Sequence, residues 1–196
     1  MRIIGGTYKG KQIARDNKLT LRPTTDFAKE GLFNILSNRY DLSSFDVLDL
    51  FSGAGSISYE FASRGCRDIY AVEIDPRHVA FIRNTAAKLG FTQIRVVREN
   101  VFHFLSICKK QYDIVFADPP YDMPHIEKIP GLIFRQNILK PGGILILEHS
   151  RRNVFNEHEH LFDHRNYGNV HFSFFQLLNH EKNQHGAYCA SDSGSD

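Results

Sequence analysis

Between residues 45 and 178 the chain alternates short apolar runs with longer stretches whose apolar positions recur every three or four residues. The short runs fall at 46–51, 69–74, 94–97, 112–117 and 143–148, and the helical patterns at about 56–64, 77–89, 101–110 and 124–138. Nearly continuous apolar strands predict burial on both faces, hence a parallel sheet covered by helices. The last two runs, 161–167 and 170–178, have only Asn166-Tyr167-Gly168-Asn169 between them. That is turn chemistry, so they are expected to pair as an antiparallel hairpin at the sheet edge. The expected fold is therefore α/β: a doubly wound, mostly parallel, seven-stranded Rossmann-like sheet with a C-terminal antiparallel hairpin.

Upstream, Phe27, Ala28, Gly31, Leu32, Ile35 and Leu36 recur at helical spacing, predicting a helix over about 25–38 that Pro23-Thr24-Thr25 introduces. Short extended runs around Ile3-Ile4 and Gln12-Ile13, interrupted by Gly5, Gly6 and Gly10, predict a small hairpin or an irregular arm. The expected organisation is a basic arm and helix over 1–40 packed on a main domain over 41–179, followed by a polar tail over 180–196.

A length of 196 residues suits one domain. With 42% hydrophobic and 23% charged residues and no long apolar run, the composition is that of a soluble globular chain, so no membrane partner and a cytoplasmic location are expected. Cys66, Cys108 and Cys189 are too few and too scattered for a disulfide framework or zinc knuckle. His149, His158, His160, His164 and His171 show no zinc-ligand spacing and are expected in exposed loops; no metal is expected. Phe172, Phe174 and Leu177 are expected in the core. The net charge of +2 excludes a generally polycationic nucleic-acid binder. Its distribution matters more: Arg2, Lys9, Lys11, Arg15, Lys18 and Arg22 face one acid, Asp16, and read either as a solvated surface or as a phosphate-binding arm. Ser150-Arg151-Arg152, after the fifth strand, has the same two readings.

Chemistry concentrates at the ends of the strands. Asp49-Leu50-Phe51-Ser52-Gly53-Ala54-Gly55 closes the first core strand with a glycine turn that lets backbone approach a ligand. A dinucleotide fingerprint wants a third glycine at position 58, which is Ser58, and Asp49 would repel a pyrophosphate. A ligand carrying an ammonium group suits this carboxylate better, as S-adenosylmethionine does. Glu73, in Ala71-Val72-Glu73-Ile74-Asp75, can accept from both hydroxyls of a ribose. Asp75 before Pro76 reads as a helix N-cap. In Glu99-Asn100-Val101, Asn100 reads equally as an N-cap and as an adenine contact. Finally, Asp118-Pro119-Pro120-Tyr121 follows the fourth strand. Two prolines stiffen the exit, leaving Asp118 and the Pro119 carbonyl as acceptors for the two hydrogens of an exocyclic amine, with Tyr121 to stack on a base. A nicotinamide-dependent oxidoreductase would share the glycine loop and Glu73 but leaves Asp49 and the double proline without a role. A non-catalytic RNA-binding protein would use the arm but not an adenosine pocket.

Asp-Pro-Pro-Tyr after the fourth strand, with Asp-x-Phe-x-Gly-x-Gly after the first, resembles the amino-group methyltransferases of the Rossmann-like class. Arg2-Ile3-Ile4-Gly5-Gly6, Lys9-Gly10-Lys11, Leu21-Arg22-Pro23-Thr24-Thr25-Asp26 and Glu30-Gly31-Leu32-Phe33-Asn34 narrow the resemblance to the RsmD family, bacterial enzymes that methylate the N2 amine of a guanine in 16S ribosomal RNA. The resemblance covers about residues 1–178. It implies S-adenosylmethionine as cofactor and 16S ribosomal RNA, free or within an assembled small subunit, as partner of a monomeric enzyme. It implies Asp118, Pro119, Pro120 and Tyr121 as catalytic residues, and Asp49, Phe51, Gly53, Gly55, Glu73, Asn100 and Val101 as cofactor-binding residues. Arg2, Lys9, Lys11 and Arg22 would bind RNA. Lys29 stands where the family has arginine and Asn100 where it has aspartate, and the tail beyond Leu178 has no family counterpart. The same Asp-Pro-Pro-Tyr occurs in DNA-adenine and protein-glutamine methylases, which are the nearest alternatives.

Overall fold

The computed structural model describes residues 1–14 and 25–177. Strands β1 (Asp46–Leu50), β2 (Asp68–Glu73), β3 (Ile94–Arg98), β4 (Tyr112–Ala117), β5 (Leu139–His149), β6 (Leu161–Tyr167) and β7 (Val170–Gln176) form one sheet in the order β3-β2-β1-β4-β5-β7-β6. The first five run parallel, while β7 pairs antiparallel with both β5 and β6. Helices α1 (Asp26–Arg39), α2 (Ser56–Ser63), α3 (Pro76–Leu89), α4 (Val101–Ile107) and α5 (Lys128–Arg135) cover the two faces. The strand order reverses between β1 and β4, and such a switch point opens a crevice at the carboxyl ends of the strands.

Two apolar clusters flank the sheet. One joins Val47, Ile69, Ile114, Phe116, Ile146 and Phe172 to residues of α1, α2 and α3. The other joins Leu48, Val72, Val115, Ala117 and Leu147 to residues of α4 and α5. The strict alternation of β1 and β4 between these clusters is the period-2 geometry of a strand buried on both faces. Ile3 and Ile13 belong to the first cluster, so the chain start is docked on the domain. An antiparallel bridge between Arg2 and Gln12, with backbone bonds Ile3 N to Lys11 O and Gly10 N to Ile3 O, makes it a small hairpin.

That hairpin is held by a buried polar network. The Ile4 amide donates to Glu60 Oε1 at 2.6 Å, and the Tyr8 amide to Ser63 Oγ at 2.9 Å. Glu60 is completely buried, ion-paired with Arg64, and 3.5 Å from the buried Lys29 ammonium, which itself donates to the Arg2 carbonyl at 2.7 Å. Burying these charges is tolerable because each one is paired and hydrogen-bonded.

Several elements differ from the sequence expectation. In α1 the buried stripe is Ala28, Lys29, Leu32, Phe33 and Leu36, while Phe27 is exposed; the ion pair with Glu60 carries Lys29 into the interior. Helix α5 begins only at Lys128, later than expected, which places Pro130 in the first turn where its missing N–H leaves no bond unmade. Strand β5 begins four residues early because a register irregularity takes up Lys140–Gly143 between the Leu139 and Ile144 pairings. Leu177 lies beyond β7 and is exposed, whereas Phe172 and Phe174 are in the core. Of the five histidines, His158 and His160 lie half-buried in the loop before β6 and His164 is exposed, but on β6, while His149 and His171 belong to strands β5 and β7. His149 ends β5, is buried, and shares a 2.8 Å hydrogen bond with Ser173 Oγ; burial pushes its pKa down to about 4. His164 and His171 face each other across β6 and β7 at 3.2 Å. Among the described residues, no group of histidines, cysteines and acids could hold a metal ion, and no helix is long and apolar enough to cross a membrane.

Candidate functional site

A cavity of about 960 Å3 opens along the carboxyl ends of β1, β2, β4 and β5 and the turn after β3. It is walled by the start of α1 and by the β6–β7 turn, Tyr167 to Val170. Its size is at the upper end for small-molecule pockets, room for a nucleoside-sized ligand and a further base.

One half is built by β1, β2 and β3. Phe51 takes φ +59°, a left-handed conformation uncommon for a side chain of its size, and Gly53 and Gly55 take +51° and +80°. A Cβ at Gly55 would lie 2.9 Å from the Tyr59 ring, so only glycine fits this turn. Glu73 holds the loop: its Oε2 accepts from the Gly53 amide at 2.7 Å and its Oε1 from the Asp75 amide at 2.8 Å. The carboxylate is thereby fixed at the cavity wall. Asp49 is buried beneath the loop and accepts from Ser58 Oγ at 2.5 Å. Desolvation, against the opposing hydroxyl bond and reinforced by Glu73, pushes its pKa up to about 7.

Asp75 caps α3 through the Arg77 amide at 2.8 Å, with Pro76 at the first helical position. Asn100 caps α4, its Oδ1 accepting from the Phe102 and His103 amides at 2.9 and 3.2 Å. The side-chain NH2, a donor, is the part of Asn100 that this cap does not use. Val101 lines the wall beside it, and Phe102 meets Phe51 edge-to-face with ring centroids 6.5 Å apart. A fixed carboxylate, an amide and two aromatic rings around a glycine turn could hold an adenosine moiety, and the Asp49 carboxyl suits an ammonium group.

The other half is built by β4 and β5. Asp118, Pro119, Pro120 and Tyr121 all line the cavity, as does Glu148 at the end of β5. The Asp118 amide is tied to the Leu50 carbonyl at 3.3 Å, which fixes the exit of β4 against β1. The Tyr121 hydroxyl donates to Glu148 Oε1 at 3.4 Å. From the other wall Phe27 meets Tyr167 edge-to-face at 5.5 Å, and Thr25 caps α1 through the Ala28 amide at 3.1 Å.

Most of the candidate residues thus meet in one cleft: Asp49, Phe51, Gly53, Glu73, Asn100, Val101 and the four residues from Asp118 to Tyr121 line it, with Gly55 directly behind. The basic residues do not. Arg2 is ion-paired with Asp26 at 3.3 Å. Lys9 and Lys11 are exposed beside Tyr8, whose hydroxyl bonds the carbonyl of Leu89 at the far end of α3. The Tyr8 amide bonds Ser63 Oγ at the end of α2, whose first residues line the cavity, so the hairpin segment that carries these lysines packs at the ends of α2 and α3 away from it. Arg22 and the 180–196 tail lie outside the described residues. Arg151 and Arg152 are exposed just beyond Glu148. Sequence reasoning missed Phe27, Phe102, Glu148 and the β6–β7 turn as cavity walls. Glu148 alone left a signal, an acid closing the apolar run Ile144 to Leu147.

Comparison with known proteins agrees with this arrangement. The family model described as "Conserved hypothetical protein 95" matches residues 1–176. The "Ribosomal RNA small subunit methyltransferase D" of Buchnera aphidicola subsp. Baizongia pistaciae is 34% identical over 148 residues, covering 76% of this chain and 75% of that protein. The protein of the same name from Escherichia coli K12 is 30% identical over 148 residues, covering 76% and 74%. The solved structure of a hypothetical protein from Thermus thermophilus superposes with a TM-score of 0.80 at 27% identity, covering 90% of this chain and 99% of that one. With the family match spanning nearly all of the described chain, this protein belongs to the family of Conserved hypothetical protein 95, the RsmD family of methyltransferases.

Proposed function

We propose that this protein transfers a methyl group from S-adenosylmethionine to the exocyclic N2 amine of a guanine in small-subunit ribosomal RNA. The observation that carries the reading is one cavity in which an adenosine-suited half, Asp49 to Gly55 with Glu73 and Asn100, adjoins the acceptor set Asp118, Pro119 and Tyr121. The names of the relatives from Buchnera and Escherichia coli support ribosomal RNA as the substrate class.

When bound, S-adenosylmethionine supplies an electrophilic methyl group, so the protein's task is mainly orientation. Asp49 would face the ammonium, Glu73 the ribose, and Asn100 with Val101 the adenine. A guanine amine is a weak nucleophile because its lone pair is delocalised into the ring. Asp118 and the Pro119 carbonyl accept its two hydrogens, which favours a pyramidal nitrogen with its lone pair free, and Asp118 is the nearest acceptor for the proton that leaves. Pro120 stiffens the turn, and Tyr121 stacks on the base once it is unstacked, a step that costs a few kcal/mol. Arg2, Lys9, Lys11 and Arg22 would bind phosphates away from the base, with Arg151 and Arg152 beside the cavity mouth. A monomer acting in the cytoplasm, on free or assembled subunit RNA, completes the reading.

The test is a tritiated-methyl transfer assay on small-subunit RNA and on assembled subunits, with the product nucleoside mapped by mass. Asp118→Ala is expected to lower turnover by at least about a hundredfold, the scale of a positioned acceptor, while calorimetry finds cofactor affinity nearly unchanged. Normal turnover by that variant, or methylation at a position other than a guanine amine, refutes the assignment.

A further inference from the structure

The acceptor pair of Asp118 and the Pro119 carbonyl can hold any exocyclic amine, whether on guanine, adenine, cytosine or a glutamine side chain. Something else in the cavity must distinguish them. Guanine differs from adenine and cytosine in the ring atom beside its amine: it carries an N1–H donor, where adenine (at N1) and cytosine (at N3) carry a lone pair. A pocket that selects guanine therefore needs a second acceptor next to the one that holds the amine.

Glu148 stands where such an acceptor is needed. Ala117 of β4 and Leu147 of β5 are register partners, so Asp118 and Glu148 sit one lateral step apart just beyond them. Phe116 and Ile146 belong to the same apolar cluster, and Asp118 and Glu148, two residues on, emerge on that same face of the sheet. Both line the cavity. Glu148 is only 2% exposed, and its backbone is fixed on the other side by pairing with Phe172 of β7. Tyr121, the proposed stacking residue, donates to its Oε1 at 3.4 Å, which holds the carboxylate beside the place where a base would stack. A carboxylate is an acceptor at every lone pair and offers no donor to a bare ring nitrogen.

We propose that Glu148 is a specificity-determining residue that accepts the N1–H of the target guanine, which deepens and rests on the guanine-N2 reading above. Adenine or cytosine in the same place would set a ring-nitrogen lone pair against a buried carboxylate, with no proton between them. Sites built to hydrogen-bond a substrate group reject analogues lacking it by about 10,000-fold or more.

The experiment uses small-subunit RNA assembled by ligation, in which the guanine first mapped as the wild-type target is replaced by 2-aminopurine, inosine or adenosine. 2-Aminopurine keeps the N2 amine but has a lone pair at N1, and inosine keeps N1–H but has no amine. Wild-type protein is expected to prefer guanine over 2-aminopurine by about a hundredfold or more in kcat/KM, as one lost buried hydrogen bond and one repulsion imply. Glu148→Gln, whose amide can donate to a bare N1, should cut that ratio at least about tenfold. The missing O6 of 2-aminopurine affects both proteins alike, so the change in ratio reports on position 148. Inosine RNA should also inhibit wild-type protein more strongly than adenosine RNA, an arm that needs no variant and decides the matter if Glu148→Gln fails to bind cofactor. An unchanged ratio in a cofactor-binding variant, equal use of guanine and 2-aminopurine by the wild type, or equal inhibition by inosine and adenosine RNA overturns the proposal. Failure of the guanine-N2 reading would appear separately, as wild-type protein that methylates no guanine amine in unmodified RNA.

Discussion

On the proposed reading, Asp49 sets the stability of the ligand-free protein against its affinity for a cationic ligand. Its carboxyl is buried, and its pKa rises from 3.8 to about 7, chiefly through desolvation. In the unfolded chain the group loses its proton near 3.8, so between about pH 4 and 7 the native state holds a proton that the unfolded state has released. The stability this contributes is complete below pH 3.8 and is lost as pH rises through 7. A shift of about three units corresponds to about 4 kcal/mol, as each unit is worth about 1.36 kcal/mol. Asp49→Asn preserves shape and the capacity to bond Ser58 but never ionises. Its ligand-free form should match wild type near pH 4 and exceed it at pH 8 by up to about 4 kcal/mol, a rise in Tm of about 10 °C for a chain of this size. Cofactor affinity should move the other way. Removing one member of a buried charge pair costs about 2–5 kcal/mol, so Kd for S-adenosylmethionine at pH 8 should rise at least about thirtyfold. For wild type, binding below pH 7 should release a proton, measurable by calorimetry in buffers of different ionisation heat. Scanning calorimetry at pH 4 and 8 with and without ligand checks all of this. A Tm difference that does not vary with pH refutes the burial argument. Unweakened binding refutes the ammonium contact.

Three further outcomes are expected. Glu60→Gln removes the buried carboxylate shared by Lys29 and Arg64, leaving the buried Lys29 only the half-exposed Asp26 at 3.5 Å, and should cost about 3–5 kcal/mol in denaturant unfolding, since it removes one partner of a buried network; a loss below about 1 kcal/mol would show that the N-terminal hairpin docks without it. A Cβ on Gly31 of α1 would lie 2.1 Å from the Tyr167 ring, so Gly31→Ala should push the β6–β7 turn from the cavity wall and raise KM for RNA more than Kd for cofactor, which paired kinetics and calorimetry would compare. Reversing charge at Lys9 and Lys11 should reduce the salt dependence of RNA binding by about 0.7 in slope per lost phosphate contact, leaving turnover at saturating RNA unchanged, because neither lysine lines the cavity.

Much of this fold was legible because its strands are buried on both faces. Val47, Leu48 and Leu50, or Ile114 to Ala117, have no solvent side to dilute the apolar run, so strand positions were readable without knowledge of the partners. The caps were legible for a different reason: Asp75 before Pro76, and Asn100, satisfy amides two or three residues away, and such chemistry is written locally. What local sequence could not carry was anything decided across the sheet. The irregularity that lengthens β5 exists only in its register with β4. The burial of Lys29 depends on Glu60, thirty-one residues on. His149 looked like the start of an exposed histidine-rich loop, yet Ser173 and β7 close over it.

The same distinction separates the two halves of the site. The half proposed to hold adenosine was legible because each of its parts sits at a strand-to-helix turn, where a glycine, an acid or a cap must be spelled out in consecutive residues. The half proposed to hold the base is a composite. Asp118 and Tyr121 come from the turn after β4, Glu148 from the end of β5, and Tyr167 to Val170 from a hairpin turn that only the antiparallel pairing of β7 with β5 brings to the rim. Evolution can therefore alter the target without touching the transfer chemistry. On the proposed reading, a change at the end of β5 or in the β6–β7 turn would alter which base fits, whereas Asp118, Pro119 and the glycine loop would continue to hold an amine beside a methyl donor. On this argument, the residue at the end of β5 is where a search for altered base preference among relatives of this fold should begin.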